Sequence, residues 1–261
     1  MNYVESNQKA WDKLAYDHHQ YYLKKLLEGK LKLNPLVLKQ LPDLIGKSVL
    51  HLQCNTGSDS VLLALLGAKV TAVDLGIKNV EYGRQLAEAA NVDIRFIQSD
   101  VVKLDETLDE VFDYIITFDG VLGWIENLNA WGRIVKKMLH PKGKVFVCDS
   151  HPLYLIWDES HIVKGQLVIK YPYLKKEVEV EESIGGYASD SKEATNYYFA
   201  YTMKKLLDAF SSNQLFIETF EEYDRCVPGM GGDTPVEEGL VTHRHFEGKL
   251  PILFSLWASH R

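Results

Sequence analysis

Short apolar runs alternate with amphipathic segments along residues 48–149, and this alternation indicates a layered fold. Apolar residues recur at helical spacing in three segments, at about 57–66, 77–90 and 128–139. Strand-like apolar runs lie between and around these segments, at 48–53, 69–74, 92–98, 111–118 and 144–149. Strands separated by helices predict an α/β fold with a doubly wound, mostly parallel sheet.

The segments outside this region have different patterns. Residues 11–26 carry an apolar stripe at three- and four-residue spacing, which predicts an N-terminal helix. Two β-like stretches, 166–173 and 177–183, precede the polar turn sequence IGGYASDSKEATN and predict an antiparallel insertion after the fifth strand. The chain then closes with a helix, a sixth strand, an irregular glycine-rich loop and a last strand, at 203–210, 214–220, 225–249 and 250–259.

Composition limits the class of protein rather than its activity. The 261 residues are 46% hydrophobic and 25% charged, enough for the core of one large α/β domain. The formal net charge is −7, whereas nucleic-acid-binding proteins usually carry an excess of basic residues. The three cysteines match no metal spacing and predict reduced thiols, and we find neither a secretory signal nor a membrane-spanning run. We therefore expect a cytoplasmic protein with no nucleic-acid or membrane partner.

The turn after the first strand places Gln53, Asn55 and Gly57 at alternate positions. A dinucleotide-binding turn needs G-x-G-x-x-G so that the backbone can approach a pyrophosphate, and only one glycine is present here. The turn therefore disfavours a nicotinamide-dependent oxidoreductase and is compatible with a smaller, less anionic ligand. A single glycine also occurs in strand–helix turns that bind nothing, so the pattern leaves both interpretations open.

Two acids end neighbouring predicted strands, at the sheet edge where open α/β folds bind ligands. Asp74 ends the second strand, where a carboxylate can accept hydrogen bonds from both hydroxyls of a ribose. Its alternative role is to cap the next helix. Asp100 follows the third strand and could accept a bond from the exocyclic amine of adenine, with Leu75 and Val101 against the ring. The alternative for Asp100 is a solvated loop acid.

Five motifs resemble those of class I S-adenosylmethionine-dependent methyltransferases, in the order VLHLQCNTG, VTAVDLG, IQSDV, FDYIITFDGVLGWI and LHPKGKVFVCD. The first motif of that family usually resembles V-L-D-L-G-C-G-T-G. This chain has His51 in place of the acid, and Gln53 and Asn55 in place of two glycines. The resemblance covers residues 48–149 and implies a seven-stranded sheet whose last strand is antiparallel and inserted beside the fifth.

The resemblance also implies S-adenosylmethionine as cofactor, with Asp74 at the ribose, Asp100 at the adenine amine and the turn 53–57 at the methionine end. We predict one methyltransferase-like domain over 1–261. Its predicted parts are an N-terminal helical lid, a cofactor-binding core, a β insertion as possible substrate cap, and a C-terminal helix with the last two strands, at 1–45, 46–150, 151–199 and 200–261.

Methyl transfer demands little from catalytic side chains, because the donor is already activated and rate comes largely from alignment and exclusion of water. Candidate pocket residues follow strands four and five, namely Phe118, Asp119, Trp124 and His151. His151 could take a proton from a hydroxyl or an amine, and its alternative is a turn histidine before Pro152.

No metal site is predicted. The histidine pairs at 18–19 and 243–245 lack acidic or cysteine partners at a convincing spacing, so we expect them on a solvated surface.

We predict methyl transfer from S-adenosylmethionine to an oxygen or nitrogen atom of a small-molecule acceptor. DNA-base methylation is disfavoured because FDGV stands where a D-P-P-Y-like signature would follow strand four. The alternative hypothesis is a non-catalytic methyltransferase-like binding or sensor protein, motivated by the missing glycines. The sequence leaves the identity of the acceptor and the oligomeric state open.

Overall fold

The computed structural model describes residues 2–174 and 178–260. Its strands, in chain order, are β1 (Ser48–Leu52), β2 (Lys69–Asp74), β3 (Ile94–Gln98), β4 (Phe112–Phe118), β5 (Leu139–Ser150), β6 (Glu179–Gly186), β7 (Ser189–Tyr198), β8 (Leu215–Tyr223), β9 (Arg225–Cys226), β10 (Thr234–Glu237), β11 (Leu240–Thr242) and β12 (Leu253–His260). Its α-helices are α1 (Tyr3–Leu27), α2 (Pro35–Leu38), α3 (Ser58–Leu65), α4 (Ile77–Ala89), α5 (Leu128–Met138), α6 (Glu159–Ile162) and α7 (Met203–Ser212).

Seven strands form the central sheet, in the order β3-β2-β1-β4-β5-β12-β8. The five strands from β3 to β5 pair in parallel with one another. β12 runs antiparallel to both of its neighbours, β5 and β8. The predicted α/β fold is therefore confirmed, including a mostly parallel seven-stranded sheet with the antiparallel last strand beside the fifth.

Helices cover both faces of this sheet, which explains why its central strands are continuous apolar runs. Ile115 and Ile116 are successive residues of β4, so their side chains point to opposite faces. Ile115 belongs to a core cluster with Trp131 of α5 and Phe210 of α7, and Ile116 to a second cluster with Val61 of α3. The carboxyl ends of β1–β4 emerge between these two packed layers.

The antiparallel insertion is present, but its predicted strands are displaced. β6 and β7 form the hairpin, and most of the sequence predicted as a turn belongs to β7. Residues 166–173 contain no named strand, and only an isolated bridge joins Ile169 to Trp157. The second predicted stretch begins at Glu177, which lies outside the described residues. The hairpin buries one face, including Ile184 and Ala194, against α1 and exposes polar residues on the other, so its apolar signal is weak.

The prediction of an irregular loop over 225–249 is also wrong in part, because this segment contains a small antiparallel sheet in the order β10-β11-β9. These strands have two to four residues each, too few to show a period in sequence. Leu240 and Val241 of β11 pack with Cys226 of β9 and Leu36 of α2, so this sheet joins the main body through its own apolar cluster.

The predicted N-terminal helix is present as α1, which packs on α4 and on β7. It therefore crosses above the carboxyl edge of the central sheet. Within the described part of the chain, no helix combines the length and the apolar character needed to cross a membrane.

Candidate functional site

A cavity of about 310 Å³ lies at the carboxyl ends of β1–β4. Trp11 and His18 of α1 and Tyr187 from the turn between β6 and β7 form part of its wall. Most of the predicted cofactor-binding residues line it, namely Gln53, Asn55, Asp74, Leu75, Asp100, Val101 and Phe118. The other two predicted site residues, Gly57 and His151, do not line this cavity.

The turn after β1 keeps a glycine-like backbone although it has lost two glycines. Gln53 and Asn55 have φ values of 55° and 51°, in the left-handed region that favours glycine. The Gln53 side chain reaches toward β4, where Nε2 donates to the Val121 carbonyl at 3.0 Å and Oε1 accepts from the Thr117 hydroxyl at 3.2 Å. The replacements therefore alter the side chains at the site without changing the hand of the turn.

Gly57 does not line the cavity, and its role is to shape the turn between β1 and α3. It has a φ of 76° and precedes the first residue of α3. A Cβ atom at this position would lie 2.8 Å from the Phe96 ring. The position therefore needs glycine both for its backbone conformation and for the close approach of Phe96.

Asp74 both caps the following segment and lines the cavity. Its Oδ1 accepts hydrogen bonds from Gly76 N at 2.8 Å and Asn79 Nδ2 at 2.9 Å, and its Oδ2 accepts from Asn55 N at 2.7 Å. Burial raises the pKa of this carboxyl to about 6. The side chain of Asn79 is itself buried in the cavity wall, and its Oδ1 has no hydrogen-bond partner among the described residues.

Asp100 lies at the end of the neighbouring strand. Asp74 is in register with Gln98, two residues before Asp100, so both acids stand at the same edge of the sheet. Asp100 Oδ1 accepts from Val102 N at 3.2 Å and caps the short 3-10 turn that follows. Both carboxylates line the same cavity, as the spacing of the sequence predicts.

Asp59 and Asp119 form a second group of acids in the cavity. Burial raises the pKa of Asp59 to about 7, and the neighbouring charge of Asp119 adds to the shift. Burial likewise raises the pKa of Asp119 to about 6, and Asn34 Nδ2 donates to its Oδ1 at 3.0 Å. Asp119 was predicted as a pocket residue and Asp59 was not, because only the direction of α3 turns its first residues toward the cavity.

His51, which replaces the usual acid of the first motif, is a neutral imidazole in the cavity wall. Its Nδ1 lies 2.7 Å from Ser60 Oγ, and its ring stacks on Phe118 with centroids 5.1 Å apart. Burial lowers the pKa of His51 to about 3. This position therefore carries no charge near neutral pH.

His18 is another cavity residue that the sequence did not predict. The prediction of a solvated surface is wrong for His18, His19 and His243, all of which are buried. His18 lines the cavity, with Nδ1 3.2 Å from Asn55 Oδ1. His243 instead contacts the hydroxyl of Tyr154 at 2.7 Å. The signal for His18 was available, because it occupies the apolar stripe that predicted α1.

The structure does not bring His151 to the predicted site. Its Nε2 lies 3.0 Å from Glu222 Oε1 on β8, and its Nδ1 accepts a hydrogen bond from Leu153 N at 3.1 Å. The side chain follows β5 into a contact with β8, away from the cavity above β1–β4. We therefore correct this assignment and assign no catalytic role to His151.

The charged side chains that line the cavity are acidic. Among the lining residues that the structure describes, none is lysine or arginine, and five carry carboxyl groups, namely Asp59, Asp74, Asp100, Asp119 and Glu126. Buried carboxylates without a compensating cation are unfavourable, so this lining suits a cationic ligand. The described residues contain no group of three or more His, Cys, Asp or Glu side chains placed to hold a metal ion.

Known proteins resemble the part of the chain that contains β1–β4. A family model described as a methyltransferase domain matches residues 49–143. The ubiquinone biosynthesis O-methyltransferase of Nitrosococcus oceani is 33% identical over 129 residues, which are 46% of this chain and 53% of that protein. An uncharacterized methyltransferase of Bacillus subtilis, YbaJ, is 24% identical over 188 residues, covering 67% of this chain and 73% of its own. The chain thus spans about half the length of the ubiquinone-biosynthesis relative.

A solved structure extends the likeness to most of the fold. An S-adenosylmethionine-dependent methyltransferase from Mesorhizobium loti superposes with a TM-score of 0.62 at 20% identity, covering 86% of this chain and 95% of that one. Residues 49–143 therefore match a methyltransferase domain, and the likeness to the solved structure shows that this chain shares the fold of that methyltransferase.

Proposed function

We propose that this protein transfers a methyl group from S-adenosylmethionine to an oxygen or nitrogen atom of a small-molecule acceptor. The observation that carries the proposal is the cavity at the carboxyl edge of the sheet, which Asp74 and Asp100 share. Its five carboxyl groups are not balanced by any lysine or arginine among the described lining residues. S-adenosylmethionine bears a net positive charge, so its binding would offset part of this unfavourable charge.

The residues present fit this cofactor. Asp74 Oδ2 accepts one hydrogen bond from the described protein, and a carboxylate oxygen can accept two, so it can take a ribose hydroxyl. The unpartnered Asn79 Oδ1 beside it supplies a further acceptor. Asp100 would accept from the adenine amine, with Leu75 and Val101 against the ring, and the turn 53–57 would border the methionine end through Gln53 and Asn55.

When bound, the cofactor supplies an activated methyl group on a sulfonium. The protein's own contribution is to hold the acceptor in line and to keep water out. Trp11, Trp124 and Tyr187 provide apolar surface for this purpose around the cavity, and Trp11 meets Trp124 edge-on with centroids 5.1 Å apart.

The lining also limits the acceptor. An anionic acceptor would meet the five carboxyl groups, so a neutral or cationic small molecule is favoured. The printed name of the Nitrosococcus oceani relative, an O-methyltransferase, supports oxygen as one acceptor atom. The net charge of −7 opposes a nucleic-acid acceptor, and we retain a cytoplasmic location as part of the proposal.

The proposal is tested by calorimetry with S-adenosylhomocysteine, the product form of the cofactor. We expect micromolar binding to the wild-type protein. Asp74→Ala should weaken binding by at least about tenfold, because it removes a charge-assisted hydrogen bond. Asp109→Asn, which changes an exposed acid after β3, is the matched control and should bind like wild type.

A second experiment supplies the acceptor. The protein is incubated with S-adenosylmethionine and a small-molecule cell extract, and products are screened for the mass of one added methyl group. Absence of S-adenosylhomocysteine binding would contradict the proposal and favour the non-catalytic alternative, which the side chains of Gln53 and Asn55 in the cavity motivate.

A further inference from the structure

The imidazole of His18 is buried, and one of its two nitrogens has no hydrogen-bond partner among the described residues. It is 3% exposed and lies between α1 and the turn after β1. Its Nδ1 lies 3.2 Å from Asn55 Oδ1 and 3.1 Å from Asn55 Nδ2. Its Nε2 is buried and has no hydrogen-bond partner among the described residues. Buried polar atoms in native proteins are nearly always hydrogen-bonded. Two other buried ring nitrogens, His19 Nδ1 and His243 Nδ1, also have no partner among the described residues, but His18 is the one of these three histidines whose side chain lines the cavity.

From this geometry we infer that His18 is the catalytic base of the methyl transfer, accepting through Nε2 a proton from the hydroxyl or protonated amine of the acceptor. The inference rests on the proposed function and names the residue that makes the acceptor atom nucleophilic. The proposal makes Asn55 the positioning residue: it requires the tautomer in which His18 Nδ1–H donates to Asn55 Oδ1, because that tautomer leaves the lone pair on Nε2. The Thr56 N–H donates to the same Oδ1 at 2.6 Å and holds the amide in place.

The surroundings keep this imidazole neutral and ready to accept a proton. Burial lowers the pKa of His18, so the free base predominates at neutral pH. The charged groups facing it are Asp17 of α1 and Lys192 of β7, which pair with each other at 2.6 Å and so largely cancel. The rings of Tyr22 and Tyr187 lie beside it, with the Tyr187 centroid 5.7 Å away.

The other histidines are poorer candidates for this role. Among the described lining residues, His51 is the other imidazole, and its very low pKa makes it a weak base. Its Nδ1 is already engaged with Ser60. His151 does not line the cavity, and both of its ring nitrogens have protein partners.

The step balances without another reagent. The acceptor X–H bond breaks and its proton passes to His18 Nε2, while the electron pair of X forms the bond to the methyl carbon. The carbon–sulfur bond breaks with its electron pair remaining on sulfur. The imidazolium of His18 then returns its proton to water when the products leave, which restores the neutral base.

The decisive comparison is His18→Gln with His19→Gln. His19 is the next residue of α1 and is equally buried, but it stacks on Tyr82 with centroids 4.8 Å apart and does not line the cavity. Each variant is incubated with S-adenosylmethionine labelled in its methyl group and a small-molecule cell extract. Binding of S-adenosylhomocysteine is measured in parallel by calorimetry.

We expect His18→Gln to lose about 100-fold or more in the rate of label transfer, the usual contribution of a general base. Its affinity for S-adenosylhomocysteine should stay within about threefold of wild type, because a base that acts on the acceptor contributes to the chemical step and not to cofactor binding. His19→Gln should retain both properties. Equal transfer by both variants would overturn the base assignment, and so would a loss of S-adenosylhomocysteine binding in His18→Gln as large as in Asp74→Ala.

A readout independent of turnover is the nitrogen NMR spectrum of labelled histidine. We expect His18 to show a protonated Nδ1 and an unprotonated Nε2 at pH 7, and Asn55→Ala to disturb this tautomer. A protonated Nε2 in wild type would overturn the assignment. If the wild-type protein transfers no label at all, the proposed function fails, and the role of His18 fails with it.

Discussion

Two residues of the turn after β1 show how a motif can lose its glycines and keep its shape. Asparagine enters the left-handed region more readily than glutamine, and a non-glycine residue there costs about 1–2 kcal/mol. Gln53 offsets its cost through hydrogen bonds to Thr117 and Val121 on the β4 side. Asn55 instead contacts His18. The turn is therefore maintained by side-chain contacts that glycine could not make.

Gly57 and Gly29 provide a matched test of close packing at this turn. Both have a left-handed backbone, but a Cβ at Gly57 would lie 2.8 Å from the Phe96 ring, whereas a Cβ at Gly29 would have nothing within 4 Å. Gly29→Ala should cost about 1–2 kcal/mol in the free energy of unfolding. Gly57→Ala should cost about 1–3 kcal/mol more, because Phe96 must move. Urea denaturation measures both, and equal losses would contradict the close approach of Phe96.

The titration of Asp74 should appear in cofactor affinity. Burial raises the pKa of this carboxyl to about 6, and only the ionised form accepts hydrogen bonds through both oxygens. We therefore expect affinity for S-adenosylhomocysteine to fall as pH decreases through 6, by at most about tenfold per pH unit. Calorimetry at pH 5 and pH 8 tests this dependence. Asp74→Asn should bind more weakly at pH 8 with a smaller pH dependence, and an unchanged pH profile would contradict the role of Asp74.

At the scale of elements, α1 and the β6–β7 hairpin together close the cavity. Asn7 is buried in α1, and its side chain donates to the Tyr197 carbonyl at 2.8 Å and accepts from the Tyr197 N–H at 2.7 Å. Farther along the helix, the hydroxyls of Tyr22 and Tyr187 are hydrogen-bonded to each other. The helix and the hairpin are thus joined at both ends of their contact, which keeps the outer wall of the cavity in place.

Asn7→Ala tests this junction. Loss of its two hydrogen bonds to Tyr197 should lower the free energy of unfolding by about 2 kcal/mol, at about 1 kcal/mol for each bond. Hydrogen exchange should rise in β7 more than in the central sheet, because the central strands keep their own pairing. Asn2→Ala, which removes the exposed cap of the same helix, is the control and should cost about 1 kcal/mol without affecting β7. Equal exchange in β7 for both variants would contradict the role of Asn7.

At the scale of the whole molecule, the cavity region concentrates carboxyl groups whose pKa is raised. Burial raises the pKa of Asp59 to about 7 and those of Asp74, Asp119 and Asp149 to about 6. Asp149 lies under the loop after β4, where its Oδ2 accepts from Val121 N and Leu122 N. Such groups bind a proton more tightly in the folded protein than in the unfolded chain. These four carboxyl groups therefore contribute a loss of stability as pH rises from about 4 to about 7, while the lowered pKa of His51 contributes the opposite trend between about 3 and 6.5.

Asp59→Asn should remove part of this pH dependence. Ionisation of Asp59 destabilises the folded protein. This loss of stability develops between pH 3.8, the ordinary pKa, and about pH 7, the pKa in the folded protein, and it is complete above pH 7. A pKa unit corresponds to about 1.4 kcal/mol, so the variant should gain about 1 kcal/mol or more at pH 8 and little at pH 4. Thermal unfolding at several pH values measures the difference. Asp109→Asn is the exposed control, and a parallel pH profile for Asp59→Asn and wild type would contradict the effect.

The central fold was predictable because its signals are local. The predicted boundaries of the second strand match those of β2, and the fourth strand differs from β4 by one residue. These strands are buried on both faces, so nearly every position carries the apolar signal. β6 and β7 were misplaced because one face of the hairpin is solvated and the other is covered by a distant helix. Their register depends on α1, which a local pattern does not contain.

The amino-acid sequence alone was enough to predict the alternation of strands and helices, the parallel sheet, and the two acids at 74 and 100 that end adjacent strands. These features follow from periodicity and chain direction over a few residues. Which histidine enters the cavity depends on the packing of distant elements and could not be predicted from local patterns. α1 folds over the sheet edge and brings His18 to Asn55, 37 residues away in sequence, while β5 carries His151 to Glu222. Such encounters depend on how whole elements pack, and packing is set by contacts between residues far apart in the chain.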